Sequence, residues 1–389
     1  MQIGMRGRFA RTLVMVSLLG LVAGCEEENK KESVSVSDAG AEDASLAPNA
    51  GRLGAALASA VAVGGPPPTP KAGDGPPENG VFAPGAGEAA LPKAMNYKTE
   101  MLTDGSEPRV LLTSKPDGKE QKTSVLLSVR TGGPQGLPTI DFGMSFKIEK
   151  AKGDKPKKDA AGAEAAPAPA PVGSAVIAKV TSAVPASMSP GGLPKELIEE
   201  FGKLKGSEIR YQLSPTNAFS GLTIQMAKGV DAGLAPILDA LAETVALLTP
   251  PLPEKPVGVG ATWMVADRFV WTGAKIPVLR YRVFKVEKIE ANGTVSFSVD
   301  SRQYAEEGTV KLTMGPGQEV STPLDAFESA GKGTIVWDAA GLVPREGEIR
   351  QKLVAQVVPP GAPPGNQQRA VLQSELVGRF QAPTAAAAP

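Results

Sequence analysis

The chain has 389 residues, with 41 Lys and Arg against 41 Asp and Glu, one cysteine and no histidine. Balanced charge excludes a broad electrostatic grip on nucleic acid or anionic lipid, and a lone thiol leaves stability to the core and not to disulfides. Without histidine there is no Ser-His-Asp or Cys-His nucleophile system and no usual ligand for zinc, copper or haem. No D-x-[DN]-x-[DN]-G calcium loop is present either, so the expectation is a non-enzyme with no metal and no cofactor.

In chain order, the first element is a leader. Arg6, Arg8 and Arg11 precede an apolar run from Leu13 to Leu21, which ends in small residues. That order of charge, apolar stretch and small residues predicts a secretory signal over residues 1–24. The apolar run is shorter than the roughly 20 residues a spanning helix needs. Val22-Ala23-Gly24-Cys25 resembles a bacterial lipobox. The resemblance implies cleavage between Gly24 and Cys25 and acylation of Cys25, which becomes the anchor to the membrane. Each buried CH₂ contributes about 0.8 kcal/mol, so one acyl chain is marginal and two or more hold. Glu26, where enteric-type sorting uses aspartate to retain a lipoprotein at the inner membrane, points to the outer membrane. The expected location is the cell envelope, lipid-anchored.

Residues 25–92 are low in aromatics and rich in Ala, Gly, Pro and acidic side chains. Runs such as Gly64-Gly65-Pro66-Pro67-Pro68 cannot bury enough apolar surface to offset ordering entropy, so a disordered tether is expected. A β-rich domain is expected over 93–381, with a disordered internal loop at 152–171 and a disordered tail at 382–389.

Within that domain the apolar period is two. Val125, Leu127 and Val129 alternate with polar or small residues, as do Val295, Phe297 and Val299, and Val310, Leu312 and Met314. Asn292-Gly293 predicts a hairpin between strands at 279–289 and 294–301, and Asp117-Gly118 predicts another between 110–113 and 123–130. Further strands are expected near 140–150, 175–183, 209–213, 222–227, 333–338, 349–358 and 370–380. Two helices interrupt them. One, over 194–205, carries Leu197, Ile198, Phe201 and Leu204 on one stripe. The other carries Leu234, Ile237, Leu238, Leu241, Val245 and Leu248 and stops at Pro250-Pro251. The fold class expected is α+β, mostly antiparallel β. It takes the form of curved sheets or a half-barrel from two related halves, about 93–250 and 251–381, with the two helices packed against it.

The sharpest local motif runs from Pro251-Leu252-Pro253 through Lys255-Pro256-Val257-Gly258-Val259-Gly260 to Trp263. Trp263 stands where a dinucleotide fingerprint needs its third glycine, so the motif reads as a stiff crossing from helix to strand, with Trp263 covering the helix end. Together with Gly333-Thr334-Ile335 and Asp338-Ala339-Ala340-Gly341-Leu342, it resembles the DUF6263 family of bacterial envelope lipoproteins. That resemblance implies architecture and no activity.

Three other motifs are read as structural. Ser329-Ala330-Gly331-Lys332 has the S-x-x-K spacing without its partner boxes. Glu196, Glu199 and Glu200 fit a solvated helix face. Lys155, Lys157 and Lys158 lack the interleaved aromatics of a nucleic-acid site. The function expected is a non-catalytic binding or scaffolding module. A dry cavity lined by Phe142, Met144, Phe146, Leu279 and Tyr281 would shelter a lipid or another apolar ligand. The alternative is an interaction lipoprotein presenting a sheet face or edge to an envelope protein. No nucleic-acid partner is expected.

Overall fold

The computed structural model describes residues 76–131, 138–149, 173–186, 194–271, 276–315, 318–359 and 369–381. The leader, Cys25, the internal loop expected at 152–171 and the tail lie outside the described residues. So do Lys155, Lys157 and Lys158.

The expected fold class holds: the strands form one curved, open antiparallel sheet. They are β1 (Tyr97–Thr103), β2 (Gln121–Thr131), β3 (Ile140–Ile148), β4 (Ser174–Pro185), β5 (Glu208–Leu213), β6 (Phe219–Gln225) and β7 (Thr262–Trp271). After these come β8 (Ile276–Ile289), β9 (Val295–Ala305), β10 (Thr309–Gly315), β11 (Gln318–Trp337), β12 (Glu346–Val357) and β13 (Ala370–Gln381). Their spatial order is β1-β7-β8-β9-β11-β12-β13-β2-β3-β4-β5-β6, with β10 folded back on β11. The strands of each sequence half are contiguous in this single sheet, except that β1 crosses over to pair with β7. Edge strands β1 and β6 are not paired with each other.

Three α-helices accompany the sheet among the described residues: α1 (Ala86–Ala90), α2 (Lys195–Lys203) and α3 (Ala235–Leu248). Helix α3 is buried nearly all round, from Leu241 to Leu248 without a break, as expected of a helix apolar on every face. It touches β11, β12, β13, β2 and also β6, at the far end of the sheet path, so the sheet curls around it. Pro236 sits in its first turn, where the missing N–H costs little. At its other end Thr249 Oγ1 donates to the Val245 carbonyl at 2.7 Å before Pro250-Pro251 stops the helix. Trp263 covers this end: its indole N–H donates to Pro251 O at 2.8 Å, and its ring stacks on Phe284.

The close approach of α3 to the sheet depends on glycine. A Cβ on Gly378 of β13 would collide with the Thr244 side chain of α3. Gly378→Ala is therefore expected to cost roughly 1–3 kcal/mol in urea unfolding, from overpacking. Thr244→Ala in the same chain should recover part of that loss, whereas strict additivity of the two changes would show that the helix is not held there.

Three expectations need correction. The domain does not begin at residue 93, because residues 77–92 pack on the outer face of the sheet. Phe82 N–H donates to Ala305 O and Phe327 N–H to Asn79 O, each at 2.8 Å, while Leu91 is fully buried. Second, residues 110–113 form no hairpin with β2. The Asp117-Gly118 turn does form, with Gly118 at φ 74°, but β13 and β3 already occupy both edges of β2. Val110 instead bridges to Val257. Third, β1 lies where no strand was expected. In contrast, the Asn292-Gly293 turn joins β8 to β9 as read, with Gly293 at φ 86°.

Candidate functional site

Strand parity decides what reaches the interior. On β8 the inward positions are Val278, Arg280, Arg282, Phe284 and Val286; on β7 they are Trp263, Val265, Asp267 and Phe269. The register continues through Arg282–Ser301 and Arg280–Gln303 into β9, then through Gln303–Ser329 into β11 and Gly331–Gln351 into β12. A polar stripe thus crosses five adjacent strands on the helix-facing side. It separates the main apolar core, which holds Phe284, Val299, Ile335 and Ile349, from a smaller cluster of Val278, Ala305, Phe327 and Leu353.

The charged heart of the stripe is a three-residue ion network. Arg280 clamps Asp267 with two bonds, Nε to Oδ1 at 2.9 Å and Nη2 to Oδ2 at 2.6 Å. Arg282 Nη2 donates to the same Oδ2 at 3.0 Å. Arg282 also reaches α3, where its Nη1 donates to Ala246 O at 2.8 Å and helps satisfy carbonyls at the helix C-terminus. The side chains of Arg280 and Arg282 are 2% and 1% exposed, so these charges rely on one another and not on water. Burial pushes the Asp267 carboxyl up, but the two guanidinium groups outweigh it and hold the pKa below the ordinary carboxylate value. Burial lowers the Arg282 pKa to about 10 against the pull of Asp267.

Glu243 joins the network from α3. It accepts a bond from Gln303 Nε2 at 3.2 Å. Burial raises its pKa to about 7, with Arg280 and Gln303 opposing the shift and Asp239 adding to it. Farther along the stripe Gln351 Nε2 donates to Ser329 Oγ at 2.7 Å. Four buried atoms of the stripe have no partner: Arg280 Nη1, Arg282 Nε, Ser301 Oγ and Gln351 Oε1. Buried polar atoms are nearly always bonded, so this concentration marks the stripe as unusual.

Among the described residues, the surface comes close to the network beside the seam between β1 and β6. A cleft of about 190 Å³ lies there, with Asp267 and Arg280 among its walls beside Phe219, Leu222, Ala246 and Phe269. Met95 and Lys93 stand at the same opening, and both are exposed. Tyr97 Oη meets Thr216 Oγ1 at 3.0 Å, linking the two sides of the seam. A larger groove of about 250 Å³, between Asp117–Gln121 and Ala340–Leu342, has no buried charge in it; Lys119 pairs with Asp117 at 3.0 Å. The seam cleft is therefore the candidate site.

The five residues expected to line one cavity are not brought together. Phe142, Met144 and Phe146 lie on the inward face of β3, packed into the main core with at most 1% exposure. Leu279 and Tyr281 have the opposite parity on β8 and sit on the outer face, under Phe82, Leu91 and Tyr304. The sheet itself separates the two groups. Sequence reading missed Asp267, Arg280 and Arg282, although a signal was there. The two arginines fall in step with Val278, Phe284 and Val286, on the face that the apolar residues mark as buried.

The remaining motifs have structural explanations. Ser329 points inward and is buried, whereas the Lys332 side chain is 85% exposed on the other face, because three residues along a strand reverse direction. Glu199 and Glu200 pair with Lys195 and Lys203 on the surface of α2, and Glu196 lies in its first turn. No family model matches this chain, and no curated protein matches it.

Proposed function

We propose that this protein is a membrane-anchored envelope lipoprotein whose β-rich domain is a non-catalytic binding module. Cys25, lipidated after cleavage at Gly24, tethers it to the outer membrane, and the architecture is that of the DUF6263-like lipoproteins it resembles. The observation that supports binding is the seam cleft: an opening with mixed apolar and polar sides that lies beside a buried ion network. A concave opening on which polar groups converge beside apolar side chains is a usual form of ligand site. The interior itself is filled by α3 and the main core, so the ligand belongs at the seam and not between helix and sheet.

Native mass spectrometry of the full-length Cys25→Ser chain, recovered from the envelope without detergent, tests the binding reading. A co-purifying small molecule supports it, and a clean protein mass counts against it. The second reading is a scaffold that presents a sheet edge to an envelope protein, favoured by the two unpaired edges β1 and β6. Crosslinks from β1 or β6 to another protein, with no bound small molecule, would select it.

The same variant tests the anchor. Cys25→Ser is expected to abolish acylation and release the protein from the membrane fraction. Normal processing and continued membrane association would refute lipidation at Cys25.

A further inference from the structure

We infer that a gap between β9 and β11 is an acceptor site for a peptide strand, filled by residues 79–82 of the same chain and open to exchange with those of a second copy. The inference is independent of the seam cleft and of what binds there.

The ladder between β9 and β11 runs from Val295–Trp337 to Gln303–Ser329 and stops. The next pair in register, Ala305 with Phe327, is not made. Farther on, Leu324 N–H donates to Gly308 O at 2.9 Å and bounds the gap on that side. Residues 79–82 lie in it as a short strand of the sheet. Ala305 N–H donates to Gly80 O, Phe82 N–H to Ala305 O and Phe327 N–H to Asn79 O, each at 2.8 Å. Asn79 Nδ2 adds a bond to Asp325 O at 3.1 Å. The segment thus supplies partners for main-chain groups that the split leaves open. Its side chains alternate as a strand requires. Val81 packs on the cluster of Ala305 and Phe327, and Phe82 meets Tyr304 on the outer face.

Two features make the site selective and its occupant exchangeable. Gly80 has φ 74°, and a Cβ there would collide with the Phe327 carbonyl oxygen, so this position of the peptide requires glycine. The segment is joined to β1 through residues 92–96, which are all exposed, and on its other side continues into residues 1–75. A second copy carries the same segment and the same gap. An exchanged segment would therefore regain each of these contacts, and reciprocal exchange closes a two-fold dimer. The chain's own segment competes at an effective concentration of about millimolar, so exchange belongs at high local concentration.

Cys25→Ser leaves a full-length chain without cysteine, in which two positions report on the gap. Val81 and Ala305 are bridge partners, at a spacing a disulfide accepts. Val81→Cys and Ala305→Cys in one chain should close a disulfide within the monomer. The two single variants, mixed at about millimolar concentration in a thiol–disulfide buffer, should form a covalent heterodimer. Adding Gly80→Val to the Val81→Cys chain should lower the heterodimer yield at least about tenfold, because a β-branched residue resists this left-handed φ. If that chain fails to fold, a synthetic peptide of residues 76–92 decides. The parent peptide should suppress the heterodimer, and the same peptide with Gly80→Val should not. An open disulfide in the double variant would remove the seated segment itself. Closure within the monomer but no heterodimer would overturn exchange. A heterodimer indifferent to Gly80→Val, or to the parent peptide, would also overturn it, as chance collision. None of these results bears on whether a small molecule co-purifies with the seam cleft.

Discussion

Replacing Asp267 with alanine is expected to lower stability by roughly 3–5 kcal/mol, the cost of leaving buried charge uncompensated. The network explains the size. Arg280 loses a bidentate partner and Arg282 loses one of its bonds, at a position where neither side chain has useful access to water. Asp267→Asn should lose nearly as much, since it keeps the shape but removes the charge. A different change separates the cost of breaking the network from the worth of having it. Converting Asp267, Arg280 and Arg282 together to Leu, Met and Met, with Glu243→Gln to remove the remaining buried carboxylate, leaves no uncompensated charge and should cost far less than Asp267→Ala alone. What it would still lose is the bond from Arg282 to the Ala246 carbonyl at the end of α3. Chemical denaturation of the four proteins measures this. A loss under 1 kcal/mol for Asp267→Ala, about what a surface ion pair is worth, would mean that the network is hydrated and not buried.

Stability is expected to fall as pH rises from about 4.5 to about 7, and Glu243 is the reason. The sign follows from proton counts. The Glu243 pKa is raised on folding, so between the two values the folded chain binds the proton more than the unfolded chain does. Its contribution is fully present below the unfolded value and is lost as pH climbs through the folded one. A shift of this size corresponds to on the order of 3 kcal/mol. Asp239 adds to the effect, while Arg280 and Gln303 reduce it. Glu243→Gln keeps an acceptor for Gln303 and has no proton to lose. Its stability should be nearly flat across this window where the parent declines. Parallel pH profiles for parent and variant would refute the assignment to Glu243.

These two results bear on function in the same way. The ion network holds the C-terminus of α3 against β8, and α3 fills the space that the curved sheet encloses. It also forms the inner wall of the seam cleft. Apolar replacements of such networks are often neutral or stabilising, so stability alone does not account for this buried charge.

The sequence by itself determined the local elements. Period-two alternation marks strands wherever one face is buried, as at Val295, Phe297 and Val299, and Asn292-Gly293 marks a hairpin because both residues tolerate positive φ. The apolar periodicity from Leu234 to Leu248 located α3, and Pro250-Pro251 ended it. The passage to Trp263 was legible as packing, since its proline and glycine spacing suits a stiff crossing and not a phosphate loop. Each of these signals depends on residues a few positions apart, so no knowledge of the fold is needed.

Only the tertiary structure decided which residues share a surface. Alternation tells that Leu279 and Arg280 face opposite ways, but not which face of β8 meets α3 and which meets residues 77–92. That choice placed Leu279 and Tyr281 outside the main core and Phe142, Met144 and Phe146 within it. Strand order is equally non-local: β1 pairs with β7 across more than a hundred residues, which displaces the seam to β1 and β6. The candidate site exists because the β7–β8 pairing sets Asp267 opposite Arg280, close to the β1 edge of the sheet. Register and strand order are set by packing over the whole sheet, and that information is spread too widely to be read from any one segment.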